Sequence, residues 1–393
     1  MNRLGFDPKI LSPDRPVYPM GGLGVHVDKL LSNINTEQFN VTALCQGAAD
    51  CTMPNGVKVY GVDPSFPLTS TKDSIARTFL MQSRFSALAM SLLSQRKMPK
   101  PHIVHIMDWS TAVAGLDIAA VTGAKPVFAV HLSIGNYIKS PSPMQRSNWD
   151  EAKQIEFLAC QKSFRVLQVS KSYSMLYPFN FFSHKTSIIP NGIDLSDFDF
   201  SIRSNVQANH LPGKSIKKIL YVGRIASMKN VQTLMDIELP DGCDLIFIGG
   251  DQGSSQPLID RLKTVCDNDP NKFYMGAVYS EEKNYLMTQA DLVIVPSVHE
   301  PFGIVALEAL AAAQGGRTIL ASSFVGGMGD FLTPDAALNC GVTKESIEDC
   351  IARFLSMTDD EKSAMRTAAV ELAGRYTWQN TTSEIESVYN SIL

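Results

Sequence analysis

The sequence predicts an α/β chain of two doubly wound domains, and three observations carry that reading. Short, continuously apolar runs recur along the chain, they alternate with helix-period segments, and the alternation restarts after a polar stretch near the middle. The runs are 39–44, 102–107, 125–130, 164–170 and 185–190 in the first half, then 217–223, 243–249, 272–276, 291–296 and 317–321 in the second. Apolar runs without polar alternation suit parallel strands covered on both faces. Strands interleaved with helices argue for a doubly wound sheet. The stretch 199–216 (DFSIRSNVQANHLPGKSI) offers neither a strand nor an amphipathic helix and reads as the interdomain linker. The expected domains are 1–200 and 201–375, each Rossmann-like, with 376–393 as a closing helix. Pro8, Pro13 and Pro16 crowd the place of an opening strand, so the expectation is either a strand of a few residues around Lys9 to Leu11 or a chain that lacks some upstream sequence.

Composition narrows the function classes. The 393 residues suffice for two hydrophobic cores. Apolar residues make up 45% and charged residues 19%, an ordinary globular balance that excludes disorder. The net charge of −4 demotes a nucleic-acid partner. Seven scattered cysteines with no C-x-x-C fit a reducing, cytoplasmic setting and suggest no zinc clip. The N-terminus lacks the apolar core of a signal peptide, and no apolar stretch approaches the roughly 20 residues of a membrane span.

Five segments carry candidate chemistry. Gly21-Gly22-Leu23-Gly24 precedes a helix pattern, where glycines let backbone N–H groups approach an anion; a plain tight turn is the alternative. Gly223-Arg224 follows the strand at 217–222, with Lys229 five residues on, and two cations at a parallel strand's end can neutralise a diphosphate; two solvated surface cations, the commoner fate of such a pair, are the alternative. The segment 296–310 ends a strand at Pro296, carries Glu300 on a loop, and starts a helix near Phe302, Gly303 and Ile304 with Glu308 in its second turn. Two carboxylates eight apart in an apolar frame can grip hydroxyls of a sugar nucleotide; the alternative for Glu308 is a solvent-facing helix residue, an uncomfortable one because its neighbours are apolar and an unpaired buried carboxylate is costly. Asp108 and His131 end two strands of the first half, at the functional edge of a parallel sheet, with a hydrogen-bonded core histidine the alternative for His131. His102, His105 and His131 fit no usual metal spacing, so no metal site is expected.

These motifs resemble the retaining GT-B glycosyltransferases of family 4 type and the related glycogen and starch synthases, over nearly the whole chain. E-P-F-G-I-V-A-L-E (300–308) is similar to their E-x7-E motif, and G-R-I-A-S-M-K (223–229) to their G-R-x4-K motif. P-N-G-I-D (190–194), G-G-M-G-D-F-L (326–332) and Y-T-W (376–378) resemble the interdomain turn, a glycine loop and the segment crossing back to the N-terminal domain. V-H-I-M-D-W (104–109) and V-F-A-V-H (127–131) are similar to synthase strand ends, although Pro19 stands where synthases usually carry a lysine.

The resemblance implies two domains facing across a cleft and closing on a nucleoside diphosphate sugar, with UDP-glucose or ADP-glucose the first expectation. It implies that Arg224 and Lys229 stabilise the departing diphosphate, with Gly22 and Gly24 capping it. Glu308 would accept from the ribose hydroxyls, and Phe302, Gly303 and Ile304 would belong to the donor site. His131, Asp108 and Glu300 would serve catalysis. The acceptor would be a glycan, a lipid-linked sugar or another hydroxyl, and no cofactor or metal is implied. The alternatives are a nucleotide-sugar 2-epimerase or a non-catalytic sugar-nucleotide-binding protein on the same fold. A basic helix at 72–97 allows peripheral membrane contact, but a helix covering the sheet is the preferred reading.

Overall fold

The computed structural model describes residues 21–47, 49–62, 74–133, 143–176, 178–199, 210–250, 256–278 and 280–393. The short opening strand expected around Lys9 to Leu11, and Pro19, lie outside the described residues. The chain divides into two units, residues 1–191 with 378–393, and residues 192–377.

The first unit holds α1 (Gly21–Asn33), β1 (Thr42–Gln46), β2 (Cys51–Thr52), β3 (Lys58–Val62), α2 (Ser74–Ser94), β4 (Ile103–Met107), α3 (Ala112–Thr122), β5 (Lys125–Val130), α4 (Pro143–Lys162), β6 (Arg165–Gln168), the short α5 (Lys171–Ser174) and β7 (Thr186–Ile188). Strands β4-β5-β6-β7 form a parallel sheet in that order, and β1-β3-β2 form a second group, parallel between β1 and β3. Helix α2 buries Phe85, Ala89 and Leu92 in the clusters that also take Val62, Ala114 and Ile118. It therefore covers the strands, as the plainer reading of the basic helix expected.

The second unit holds β8 (Lys217–Val222), α6 (Val231–Asp236), β9 (Cys243–Ile248), α7 (Gln256–Asn268), β10 (Lys272–Gly276), α8 (Ser280–Gln289), β11 (Leu292–Val295), α9 (Ile304–Ala312), β12 (Ile319–Ser322), α10 (Gly327–Phe331), β13 (Leu338–Asn339), α11 (Lys344–Ser356) and α12 (Asp359–Ala373). Its six strands are all parallel, in the order β10-β9-β8-β11-β12-β13. The strand order reverses between β8 and β11. In an open α/β sheet the crevice beyond the strand ends at such a reversal is where ligands bind. Strands β8, β9, β11 and β12 are buried on both faces, which explains their unbroken apolar runs. Helix α11 opens on a Thr343–Ser346 capping box and α12 on a Thr358–Glu361 box, each satisfying orphan first-turn donors.

One boundary differs from the sequence reading, and the closing helix falls where the resemblance puts it. The first unit ends at Asn191, ahead of the 199–216 stretch, because the residues that follow are built into the second unit. The Ile193 N–H donates to the Tyr376 carbonyl at 2.8 Å, Asn284 donates to the Asp197 carbonyl at 3.4 Å, and Phe198 is fully buried. The last helix, α13 (Trp378–Ile392), belongs to the first unit. Its Ile385, Val388, Tyr389 and Ile392 join Val27, Leu30 and Leu31 of α1 and Val127, Ala129 and Leu167 of the sheet in one core. Among the described residues no helix is long and apolar enough to cross a membrane.

Candidate functional site

The candidate donor site sits in the second unit at the β8/β11 reversal. Past β8 the chain turns at Gly223-Arg224, and the Tyr221 hydroxyl donates to the Arg224 carbonyl at 2.6 Å. Lys229 closes a single 3-10 turn (Ser227–Lys229), and Asn230 leaves it at φ 59°. The loop after β11 is tied to this turn, because Val298 N–H donates to the Met228 carbonyl at 3.0 Å. That backbone bond places two loops from non-consecutive strands side by side. Across them Lys229 Nζ pairs with Glu300 Oε2, and Ser297 Oγ donates to the same oxygen at 3.2 Å.

Two glycines shape the Glu300 loop. Gly303, at φ 105°, turns the chain into α9 and caps it without a side chain. Gly326, at φ 58°, lies under Glu300, where a Cβ would stand 2.2 Å from the Glu300 carbonyl oxygen. The Gly327 N–H donates to that carbonyl at 3.0 Å, so the 326–332 glycine loop braces the backbone of Glu300. Helix α9 starts at Ile304, two residues later than expected, and its first-turn amides have no acceptor within the helix.

Phe302 is 4% exposed and stacks on Phe331 at 5.0 Å, with Tyr376 at 6.2 Å, so its ring anchors the loop in the core. Glu308 is buried, which removes the solvent-facing alternative. Its Oε1 pairs with Lys283 Nζ of α8 at 2.5 Å, and its Oε2 is buried without a hydrogen-bond partner among the described residues. Lys283 was missed from sequence; nothing in S-E-E-K-N-Y distinguishes it from a solvated helix cation.

The first unit gathers a second group. Asp108 adopts φ 59°, ψ 170° at the end of β4 and is 1% exposed. Its Oδ1 accepts from the backbone N–H groups of His131 at 2.6 Å and Leu132 at 3.3 Å. Asp108 thus fixes the loop that carries His131. The His131 ring packs on the His26 ring with centroids 4.2 Å apart. His26, on α1, is held by a hydrogen bond from Nδ1 to Asn191 Oδ1 at 2.8 Å and by Trp378, with ring centroids 5.8 Å apart. His105 hydrogen-bonds the Tyr389 hydroxyl at 2.6 Å. Burial pushes His26 down to about 4 and His105 to about 3, and burial with its two histidine neighbours holds His131 well below the usual imidazole range.

Gly22 and Gly24 lie inside the first turns of α1, which begins one residue before Gly22. The helix they start carries His26, which sequence reasoning missed because it sits within an ordinary apolar helix pattern. The structure therefore brings Arg224, Lys229, Glu300, Gly303, Ile304 and Glu308 to the loop-and-helix edge of one unit. Asp108, His131, Gly22 and Gly24 belong to the other. Among the described residues no three His, Cys, Asp or Glu side chains are grouped to hold a metal ion.

Comparison with known proteins agrees with this layout. Residues 20–197 match the family described as Glycosyltransferase Family 4, and residues 203–371 match Glycosyl transferases group 1. An uncharacterized glycosyltransferase of Methanocaldococcus jannaschii is 27% identical over 95% of each chain. A glycogen synthase of Mycobacterium tuberculosis is 25% identical over 97% of this chain and 93% of its own. The solved sucrose-phosphate synthase of Thermosynechococcus elongatus superposes with a TM-score of 0.79 at 19% identity, over 96% of both chains. Fold and matched families together define a glycosyltransferase of the GT-B class. Within that class the chain belongs to the family 4 type.

Proposed function

We propose that this chain is a retaining hexosyltransferase that moves a hexosyl group, glucose first among candidates, from a nucleoside diphosphate sugar to a glycan or other hydroxyl acceptor. The observation that carries the reading is the placement of Arg224 and Lys229 beyond β8, with Glu300 and Glu308 on the loop and helix after β11, at the reversal of the strand order. Fixed cations aimed at a departing diphosphate stabilise charge as it develops and need no rearrangement at that moment. Arg224 offers a planar fork and Lys229 a point charge, a combination suited to phosphate oxygens. In this reading Glu300 receives sugar hydroxyls and Glu308 the ribose hydroxyls. The α9 N-terminus at Gly303 and Ile304 faces phosphate or sugar oxygens. The glycogen synthase likeness supports glucose as the transferred group.

The first unit supplies the acceptor side. His131 is kept neutral at physiological pH by its surroundings, so it can accept or donate a hydrogen bond without adding a cation. Retention follows if the acceptor attacks the face the diphosphate leaves, and that route needs no nucleophilic carboxylate. Two fixed cations and helix N-termini supply the electrostatic work, so the chemistry is proposed to be independent of metal and of any cofactor. Seven scattered cysteines with no C-x-x-C support a reducing, cytoplasmic setting.

The test is a donor panel. UDP-, ADP- and GDP-sugars are incubated with and without glucan, glucose 6-phosphate and lipid-linked acceptors, nucleotide release is followed, and the product's anomeric configuration is read by NMR. Acceptor-dependent release with a retained anomer, unchanged by a chelator, is expected. An inverted anomer, a free C2 epimer of the sugar, or activity lost to chelator and restored by magnesium would each overturn the corresponding part.

A further inference from the structure

We propose that Lys283 is a positioning residue for donor selection: it holds Oε1 of Glu308 so that Oε2 is presented to the ribose 2′- and 3′-hydroxyls of the nucleotide. The inference rests on the donor-site reading above and deepens it by assigning how that site tells ribose from deoxyribose.

Three observations support it. Lys283 Nζ lies 2.5 Å from Glu308 Oε1, and the two side chains are 18% and 8% exposed, so the pair is largely shielded from water. Glu308 Oε2 is buried with no hydrogen-bond partner among the described residues. The rest of α9 is apolar and buried from Ala306 to Ala312. A buried carboxylate oxygen without a donor is costly, so one left in that state beside a strand-reversal site is poised for a ligand.

The chemistry of the ligand group follows. An ionised carboxylate only accepts hydrogen bonds, and Lys283 already engages one of its two oxygens. The other oxygen repels phosphate and suits a neutral O–H donor. A vicinal diol offers two such donors. Lys283 does more than neutralise charge, because its pairing with Oε1 fixes the carboxylate plane. Without it Glu308 would be an unpaired buried charge free to turn toward water or toward the α9 backbone.

A purely structural role for Lys283 makes a different prediction, and the ratio of two affinities separates them. Calorimetric titrations use UDP, ADP and GDP, each beside its 2′-deoxy counterpart, on the full chain and on Lys283→Met, Lys283→Arg and Glu308→Gln. Because both members of a pair are measured on one preparation, partial unfolding cancels from the ratio. The parent is expected to favour the ribose form by about tenfold to a hundredfold, the worth of one hydrogen bond to a charged group. Lys283→Met and Glu308→Gln should both bring that preference below about threefold, and Lys283→Arg should retain most of it. Lys283→Gln, uncharged but polar, reads the same way should the methionine variant fail to fold. A Lys283→Met or Lys283→Gln chain that keeps the parent's ribose preference while Glu308→Gln loses it would overturn the inference and leave the donor site standing. An unchanged preference in Glu308→Gln would remove the Glu308 assignment itself, and the role of Lys283 with it.

Discussion

Replacing Lys229 with methionine isolates the ion pair that joins the β8 and β11 loops. Lys229 and Glu300 are 16% and 11% exposed, so little solvent screens them. Removing one partner of a buried pair costs about 3–5 kcal/mol. Here Glu300 keeps the Ser297 hydroxyl at 3.2 Å and some contact with water, which lowers the expected cost of Lys229→Met to about 2–4 kcal/mol. Glu300→Gln should cost less, about 1–2 kcal/mol, because the lysine stem can carry its ammonium toward solvent. The double variant leaves no orphan charge. Its cost should fall short of the sum of the two by at least about 1 kcal/mol, the signature of residues in direct contact. The three tryptophans, Trp109, Trp149 and Trp378, all belong to the first unit, so tryptophan fluorescence is blind to this change. Hydrogen exchange of peptides covering β8 and β11 reads the second unit alone. Costs in the double variant that add within about 0.5 kcal/mol would refute the pairing as the structure places it.

Three further outcomes test other parts of the fold. His26 and His105 are held neutral to about pH 4 and about pH 3, whereas an unfolded histidine titrates near 6.5; the unfolded chain therefore binds more protons across that interval, and stability present above about pH 6.5 is lost as pH falls. Each histidine adds a slope of up to about 1.4 kcal/mol per pH unit, so urea midpoints followed by tryptophan fluorescence should fall steeply between pH 6 and 4.5, less steeply in His26→Phe, and identical slopes would contradict the histidine cluster. Deleting residues 378–393 strips Ile385, Val388, Tyr389 and Ile392 from the first unit's core, a loss of about 6–12 kcal/mol at 1.5–3 per side chain, and should leave that unit without a cooperative thermal transition by calorimetry. Gly326→Ala meets the Glu300 carbonyl at 2.2 Å and adds a positive-φ penalty, so it should lower the melting temperature and the transfer rate together; a variant with parent values would show that the glycine loop does not brace Glu300.

The sheets were legible because their strands are buried on both faces. All ten apolar runs read from sequence fold as strands. The strand at Lys58–Val62 escaped because it is half exposed and interrupted by Gly61, and β13 because it is two residues long. The site was legible where residues are close in sequence, as at 223–229 and 300–308, and opaque where pairing spans the chain. Lys283 meets Glu308 only because α8 packs on α9, and Phe302 is claimed by Phe331 and Tyr376, which lie far along the chain. His26 acquires meaning only once Asn191 and Trp378 close around it. The glycines at 22 and 24 suggested a turn by their low helix propensity, yet the helix begins at Gly21 and its stability comes from the apolar face at Val27, Leu30 and Leu31.

The central claim is that the cations beyond β8 stabilise the departing nucleoside diphosphate. Steady-state release of nucleotide from the best donor, at saturating acceptor, measures it directly in the parent, Arg224→Ala and Lys229→Ala. One lost charge-assisted contact is worth about 1.5–3 kcal/mol, so each variant should lose about tenfold to a hundredfold in kcat/KM, with kcat falling at least as far as KM rises. Rates within twofold of the parent in both variants, on chains shown by hydrogen exchange to be folded, would contradict the account.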